Sequence, residues 1–457
     1  MTDRPTRADA RFLLAHRART ALVLADALGW RDELEQAEVE VAPTRSHPVD
    51  LVVTAKRSLN SALVSGAPAI IVEGDSAAAL RSAGYSTSRF LVFTDETPGL
   101  FVPLDDPPRA RYALARLRHA GSILRRIRQA LDARWPRGAV VGRASNVITV
   151  AEGRPLHPFL VAAAEQTSIG SAAGWLLAVN EARSNARNVF HVFAPGQAAP
   201  SWVVKFHRLT TGLGSDERGL SLAAAAGGSV AAHVPESLGG FVAEGVSATV
   251  ETAAVGTPLH AVLRSRIGRR RKLELISAVV SWLAELAHRT AQRRPGELER
   301  QFAAADLARV GIARGALDEL REAPLVLQHF DLAPANVLVS GREFTVVDWE
   351  HARHGLPLLD LMRLVQTSLP LLDGVGPTQD ERAGYLASVF SGEHRTSAIV
   401  ARWVREVAAA SETGGQLLGQ LAILAWLKLG KEDLLAAWLR DPRLGPTWRP
   451  PDVREGR

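Results

Sequence analysis

The stretch LVLQHFDLAPANVLVSGREFTVVDWEHARHGLPLLD, residues 325–360, decides how this chain reads. It begins and ends on apolar runs. Between them stand His329, Asp331 and Asn336, then a hairpin pattern, then Asp348. The predicted strands are 337–339 and 344–347, turned at Ser340 and Gly341. One Asp or Asn alone would signify a plain turn, because both residue types favour turns. Four polar positions, apolar strands on either side and a hairpin that returns its ends to one place describe a built site instead.

Upstream of this stretch the pattern is β-rich. Strand-like runs fall at 175–179, 189–193 and 202–206. A helical run at 215–226 follows, then a strand pair at 240–244 and 247–251. From residue 259 the chain is mainly helical. The first third differs again. Residues 6–40 read as one or two helices. Apolar runs at 49–54, 69–73, 89–93 and 100–104 then alternate with helical segments, which predicts a small α/β layer. PLDDPP (103–108) closes that layer. A long helix is predicted over 109–134, and WPRG (135–138) ends it. The expected domains are therefore 1–135, 139–258 and 259–457. Neither an internal repeat nor a low-complexity tract is visible.

Composition excludes several chemistries. The 457 residues contain no cysteine, which removes disulfides, thiolate metal sites and cysteine nucleophiles. Hydrophobic residues make up 47% and charged residues 22%, ordinary for a soluble globular chain. The net charge is +6, and the basic residues are nearly all Arg, with Lys only at 56, 205, 272, 428 and 431. A scarce Lys inside a strand pattern, such as Lys205, is hard to dismiss as filler. The N-terminal residues are charged throughout and do not read as a signal peptide. The longest apolar stretch, 417–429, is too short to span a bilayer. A cytoplasmic protein is expected.

Residues 325–360 resemble the aminoglycoside phosphotransferase and choline kinase branch of the kinase-like superfamily. That family carries His-x-Asp-x-x-x-x-Asn, a hairpin, and then Asp-Trp/Phe-Glu or similar. Here these are His329, Asp331 and Asn336, then Asp348, Trp349 and Glu350. The resemblance implies an α+β fold: a two-lobed protein-kinase-like phosphotransferase domain, preceded by the small α/β N-terminal domain. It implies ATP as donor, with GTP as the alternative, and Mg²⁺. Asp331 would accept or orient the proton of the acceptor hydroxyl. Asn336 and Asp348 would hold the metal, as hard oxygen ligands suited to Mg²⁺. His329 would brace the catalytic loop, and Asp360 the lobe. Phe330 departs from the Gly that many members carry after the His, and Ala333 departs from a polar residue.

The same resemblance assigns the nucleotide side. Lys205 would contact the α- and β-phosphates, and Glu217 on the following helix would hold its ammonium. The loop 180–188 would cradle phosphate through Ser184, Asn185 and backbone N–H groups. Backbone groups near Thr252 and Ala253 would read the adenine. No Gly-x-x-x-x-Gly-Lys-Ser/Thr sequence occurs, which disfavours P-loop chemistry.

The expected function is ATP-dependent phosphate transfer to a hydroxyl of a small molecule: a sugar, an amino alcohol or an aminoglycoside-like compound. Two alternatives compete with it. One is a non-catalytic kinase-like nucleotide-binding module. The other is a bifunctional protein with a second ligand site in its N-terminal domain. The basic residues of 109–134 would suit an anionic membrane surface, but a helix packing one domain on the next is the simpler reading. RSRIGRRRK (264–272) reads as a solvated helix start without interleaved aromatics, so no nucleic-acid partner is expected. The sequence leaves the oligomeric state open.

Overall fold

The computed structural model describes residues 18–24, 30–31, 34, 39–42, 48–93, 99–113, 147–152, 158–180, 187–207, 215–243, 246–294, 297–302, 304–310, 320–321, 323–376 and 378–451. They fall into two units: Met1–Gly214 with Ser237–Ala253, and Ser215–Glu236 with Ala254–Arg457.

The first unit is built on one sheet. Its strands are β1 (Thr20–Val23), β2 (Glu40–Val41), β3 (Leu51–Ala55), β4 (Ala69–Glu73), β5 (Ser86–Phe93), β6 (Gly99–Pro103), β7 (Val147–Glu152), β8 (Gly174–Asn180), β9 (Arg187–Phe193), β10 (Trp202–His207), β11 (Ser237–Ala243) and β12 (Val246–Thr252). Their order is β11-β12-β10-β9-β8-β6-β5-β7-β4-β3-β1-β2. The run β2-β1-β3-β4 is parallel, and every other pair is antiparallel. Leu51, Val52 and Val53 of β3 and Ala69–Val72 of β4 are buried, as strands covered on both faces require.

Two differences from the sequence reading stand out here. Residues 20–23 lie within the segment read as helical, yet they form β1 beside β3. A buried parallel strand shows no alternation, so TALV carries no period-2 signal. The sheet also runs through the boundary expected near 135–139. β7 lies between β4 and β5, and β6 pairs with β8, so strands from both sides of that boundary share one ladder. Most of the predicted helix over 109–134 lies outside the described residues. Its beginning is the short helix Pro107–Tyr112, capped by the Asp106 side chain.

Period-2 alternation divides the faces of β9, β10 and β12. Phe190, Val192, Val204, Phe206, Ala248 and Val250 share an apolar core with the helix Pro158–Gln166. Phe206 meets Phe159 and Phe190 edge-on, with centroids 4.9 and 5.3 Å away. The opposite face carries His191, Lys205, Thr249 and Glu251, set there by the register Lys205↔Thr249 and Val203↔His191.

The second unit is mainly helical. Helices Arg269–Thr290, Leu359–Asp373, Gln379–Phe390, Ser397–Ala410, Leu418–Lys428 and Glu432–Arg440 enclose one apolar core, with Trp282, Trp349, Trp403, Trp426 and Phe390 inside it. Short ladders hold the loops. β13 (Thr257–Pro258), β15 (Val337–Ser340) and β16 (Glu343–Val346) form one sheet. β14 (Val326–Gln328) pairs with β17 (Arg353–Gly355).

The helix Ser215–Ala225 was expected in the β-rich domain 139–258, but its segment belongs to this second unit. Packing explains why. A Cβ on Gly219 would stand 2.0 Å from the carbonyl oxygen of Trp349, so only glycine lets the helix lie on that turn. Farther along, His233 stacks on Phe344 with centroids 4.1 Å apart, and its carbonyl accepts from Val346 N.

Among the described residues no helix is long and apolar enough to cross a membrane. The basic run at 264–272 is largely spent on protein partners. Arg269 pairs with Asp373 at 3.0 Å, Arg270 and Arg271 with Glu274, and Lys272 donates to the Ser265 carbonyl.

Candidate active site

The loop from His329 to Asn336 enters from β14 and leaves into β15. One buried carboxylate shapes its start. Asp360, in the first turn of Leu359–Asp373, accepts from His329 N at 2.5 Å and from Phe330 N at 2.9 Å. Its own N–H donates to the Gln328 side chain at 2.8 Å. Burial pushes the Asp360 carboxyl up to about 7, and the two N–H bonds partly oppose that rise.

This bracing carries a bulky residue through an unusual conformation. Phe330 has φ +67°, a region that glycine enters freely. For Phe such a backbone costs about 1–3 kcal/mol and persists only when its surroundings hold it. Asp360 fixes the backbone. Arg353 stacks on the ring with its guanidinium carbon 3.7 Å from the centroid. Gly355 leaves the space for the ring edge, since a Cβ there would lie 2.7 Å from Phe330 Cζ.

His329 is fully buried beneath Trp349. Its Nε2 faces the Val347 carbonyl at 2.9 Å and so donates to it; its Nδ1 accepts from Asp331 N at 3.3 Å. That pattern needs the neutral ring. Burial is the main reason its pKa falls below the ordinary histidine value. The imidazole thus ties the loop to the strand that leads into Asp348.

Asp331 is half-buried and held at both oxygens. Arg363 donates to Oδ1 at 2.8 Å, and the Asn336 amide lies 3.3 Å from Oδ2. Asn336 Nδ2 also donates to the Asp331 carbonyl at 2.9 Å. With its nitrogen so used, Asn336 presents an amide oxygen. Val347 N donates to the Asn336 carbonyl at 2.9 Å, closing the open end of the β15–β16 hairpin. Asp348 is the next residue, at φ +71°, immediately before the short turn Trp349–His351. Amide and carboxylate oxygens at one hairpin end fit Mg²⁺, which takes few protein ligands and keeps waters or phosphates in its other positions.

The first unit holds the other candidates. Lys205 Nζ lies 3.0 Å from Glu251 Oε2, and the two residues are only 7% and 5% exposed. They are diagonal neighbours, because Glu251 stands opposite Val203. His191 lies on the same face. Burial, then the Lys205 charge, lowers its pKa to about 4. Thr252 pairs with Trp202, and Ala253 N donates to the Ser201 carbonyl at 2.9 Å, so that donor is not available to a base. Glu217 is exposed in the first turn of Ser215–Ala225, in the second unit. Ser184 and Asn185 lie outside the described residues.

So His329, Asp331, Asn336 and Asp348 gather in one unit, and Lys205, Thr252 and Ala253 belong to the other. Sequence reasoning passed over Glu251 as a partner of Lys205, and over His191 and Arg363. Signals for them existed. Period-2 spacing puts His191 and Glu251 on the Lys205 face, and Arg363 follows Asp360 by three residues on one helix face.

Residues 179–399 match the model of the phosphotransferase enzyme family, APH. The match covers strands β9 to β12, with Lys205, and the whole loop from His329 to Asp360. Over those residues, just under half of its length, the chain resembles the phosphotransferases of the kinase-like fold. No match was found among curated protein sequences. Solved structures with a similar fold include a protein from Ralstonia eutropha described as an aminoglycoside phosphotransferase. It is 12% identical, with 62% of this chain and 89% of that one covered and a TM-score of 0.41. The aminoglycoside phosphotransferase APH(3'')-Id from Streptomyces rimosus is 14% identical, with 61% and 97% covered and a TM-score of 0.37. A choline/ethanolamine kinase family protein from Mesorhizobium loti is 17% identical, with 57% and 92% covered and a TM-score of 0.27. At these identities any acceptor has to be argued from the chain's own residues.

Proposed function

We propose that this protein is a phosphotransferase that moves the γ-phosphate of ATP, or alternatively GTP, to a hydroxyl of a small molecule, with Asp331 as the base. The observation that carries this reading is the setting of Asp331. Its carboxylate is fixed by Arg363 and Asn336 on a loop braced at two N–H groups by Asp360. A fixed carboxylate can align an acceptor hydroxyl and take its proton as the oxygen–phosphorus bond forms. His329 would act through position, since both ring nitrogens are committed to the backbone.

Asn336 and Asp348 are the residues that would hold Mg²⁺. A bound Mg²⁺ supplies charge neutralisation to the nucleotide phosphates. Lys205 is the proposed phosphate contact, held by Glu251 within its own sheet, and Glu217 remains the family-derived candidate for that holding role. Ser184, Asn185 and the backbone near Thr252 and Ala253, apart from the Ala253 N–H, are retained as proposed nucleotide contacts. Sugars, amino alcohols and aminoglycoside-like compounds all offer the required hydroxyl, and the use of ATP places the reaction in the cytoplasm. The unused possibility, a nucleotide-binding module without turnover, is disfavoured because Lys205, Asp331, Asn336 and Asp348 are all present.

The test is Mg²⁺-dependent ATP turnover by the full chain against hydroxylated metabolites. Asp331→Asn keeps the shape and removes the base, so transfer should fall about 10²–10⁴-fold while ATP binding persists. Unchanged turnover in that variant would sink the assignment of Asp331.

A further inference from the structure

Phe330 lies between His329 and Asp331, and two cations gather beside it. Arg353, opposite Gln328 in the β14–β17 pairing, stacks on the Phe330 ring at 3.7 Å. Lys428, in the last turn of Leu418–Lys428, donates to the Gln301 carbonyl at 3.2 Å and lies 5.4 Å from the Phe302 ring centroid. Burial, then the Arg353 charge, holds the Lys428 ammonium below the ordinary lysine range. Gln301 links this ammonium to the Phe330 ring: its side-chain oxygen would lie 3.8 Å from a Cβ on Gly355, the position that the ring edge also approaches.

Their partners are neutral. Arg353 reaches the His351 carbonyl at 3.5 Å, and Lys428 reaches the Gln301 carbonyl. Neither has a carboxylate partner among the described residues. Other basic side chains of this unit are treated differently: Arg269 is paired with Asp373, Arg289 with Glu285, Arg309 with Glu432 and Arg443 with Asp441. The carboxylate next along the loop, Asp331, cannot compensate them, because it is already paired with Arg363. Arg363 spends one guanidinium donor there, and its buried Nε has no partner in the described structure. Arg353 and Lys428 are thus the cations beside the loop that no carboxylate pairs with among the described residues. A polycationic acceptor would meet repulsion at this face, and an anion would supply the missing counter-charge.

We propose that the acceptor is an anion, a hydroxyl compound bearing a carboxylate or a phosphate, held by Arg353 and Lys428 beside Phe330. This rests on the phosphotransfer reading given above. It also inverts the charge preference that an aminoglycoside or amino alcohol acceptor would need.

The test uses the full chain saturated with Mg²⁺ and a non-hydrolysable ATP analogue. Four probes on one sugar ring are titrated calorimetrically: glucosamine, glucose, glucuronate and glucose 1-phosphate. Glucuronate or glucose 1-phosphate should bind at least tenfold more tightly than glucose, and glucosamine more weakly still. Arg353→Gln with Lys428→Gln should bring both anions to the affinity of glucose and leave the analogue's affinity unchanged. Arg353→Lys, which keeps the charge, should retain the preference.

Three results would overturn the proposal. One is equal or tighter binding of glucosamine. A second is the lack of any preference for either anion, absent binding included. The third is a loss of analogue affinity in the double variant, which would assign these cations to the nucleotide. Failure of the wild-type chain to bind the analogue at all would count against the phosphotransfer reading itself, and is seen before any sugar is added.

Discussion

The two units bury charge in opposite ways. On the sheet of the first, Lys205 is matched by another charge, Glu251, 3.0 Å away on a neighbouring strand. On the loop of the second, the buried carboxylate of Asp360 is matched by two backbone N–H groups. An ion pair in a buried setting depends on each partner, because either one alone is an uncompensated charge. A carboxyl held by amides can shed its charge by taking a proton and still fill its place. The sheet thus fixes a cation in place, while the loop gains a brace that tolerates neutralisation.

Breaking the sheet pair should have the largest effect on stability. Lys205→Met removes the charge that faces Glu251, and denaturant unfolding should show a loss of about 3–5 kcal/mol. Lys205→Met with Glu251→Leu should recover most of that loss. A single variant as stable as wild type would mean that the pair does not govern this face.

The loop brace should come next. Asp360→Ala orphans two N–H groups, at about 1–3 kcal/mol each. Asp360→Asn keeps an oxygen acceptor and should lose less. If both variants unfold alike, shape rather than hydrogen bonding is what Asp360 supplies.

The effect that is smallest per pH unit is the pH dependence that separates the two modes. Asp360 has a folded pKa raised to about 7 by burial. Its unfolded value is about 3.9. Between those values the folded state binds the extra proton, so stability falls as pH rises. The contribution is complete below about pH 4 and lost above about pH 7, with a slope of at most about 1.4 kcal/mol per pH unit. Unfolding measured from pH 4 to 8 should show this slope in wild type and a shallower one in Asp360→Asn. Equal slopes would locate the titration elsewhere.

Much of this was legible in the sequence where local pattern and local structure coincide. The strands from β8 to β12 and the β15–β16 hairpin alternate clearly, and His329, Asp331, Asn336 and Asp348 sit at spacings fixed by that hairpin. What stayed hidden depends on pairing between distant segments. The helix at 215–226 was visible, but not its contact with Trp349, which needs Gly219 and a carbonyl 130 residues later. Lys205 was visible, but Glu251 as its neighbour follows only from the register of β10 on β12. β1 carried no alternation because both of its faces are covered. β7, VITVAE at 147–152, was within reach of pattern reading, and its place between β4 and β5 was not.

Phe330 and Gly355 give the loop a history as well as a shape. The ring edge occupies the space that a side chain at 355 would need, and Arg353 covers its face. A lineage holding Phe at 330 is therefore barred from any larger residue at 355 until the ring is lost. One holding Gly at 330 would be free at both positions. The order in which these two sites can change is thus constrained, and an insertion of bulk at 355 becomes admissible only after the loop at 329–336 has already been rebuilt.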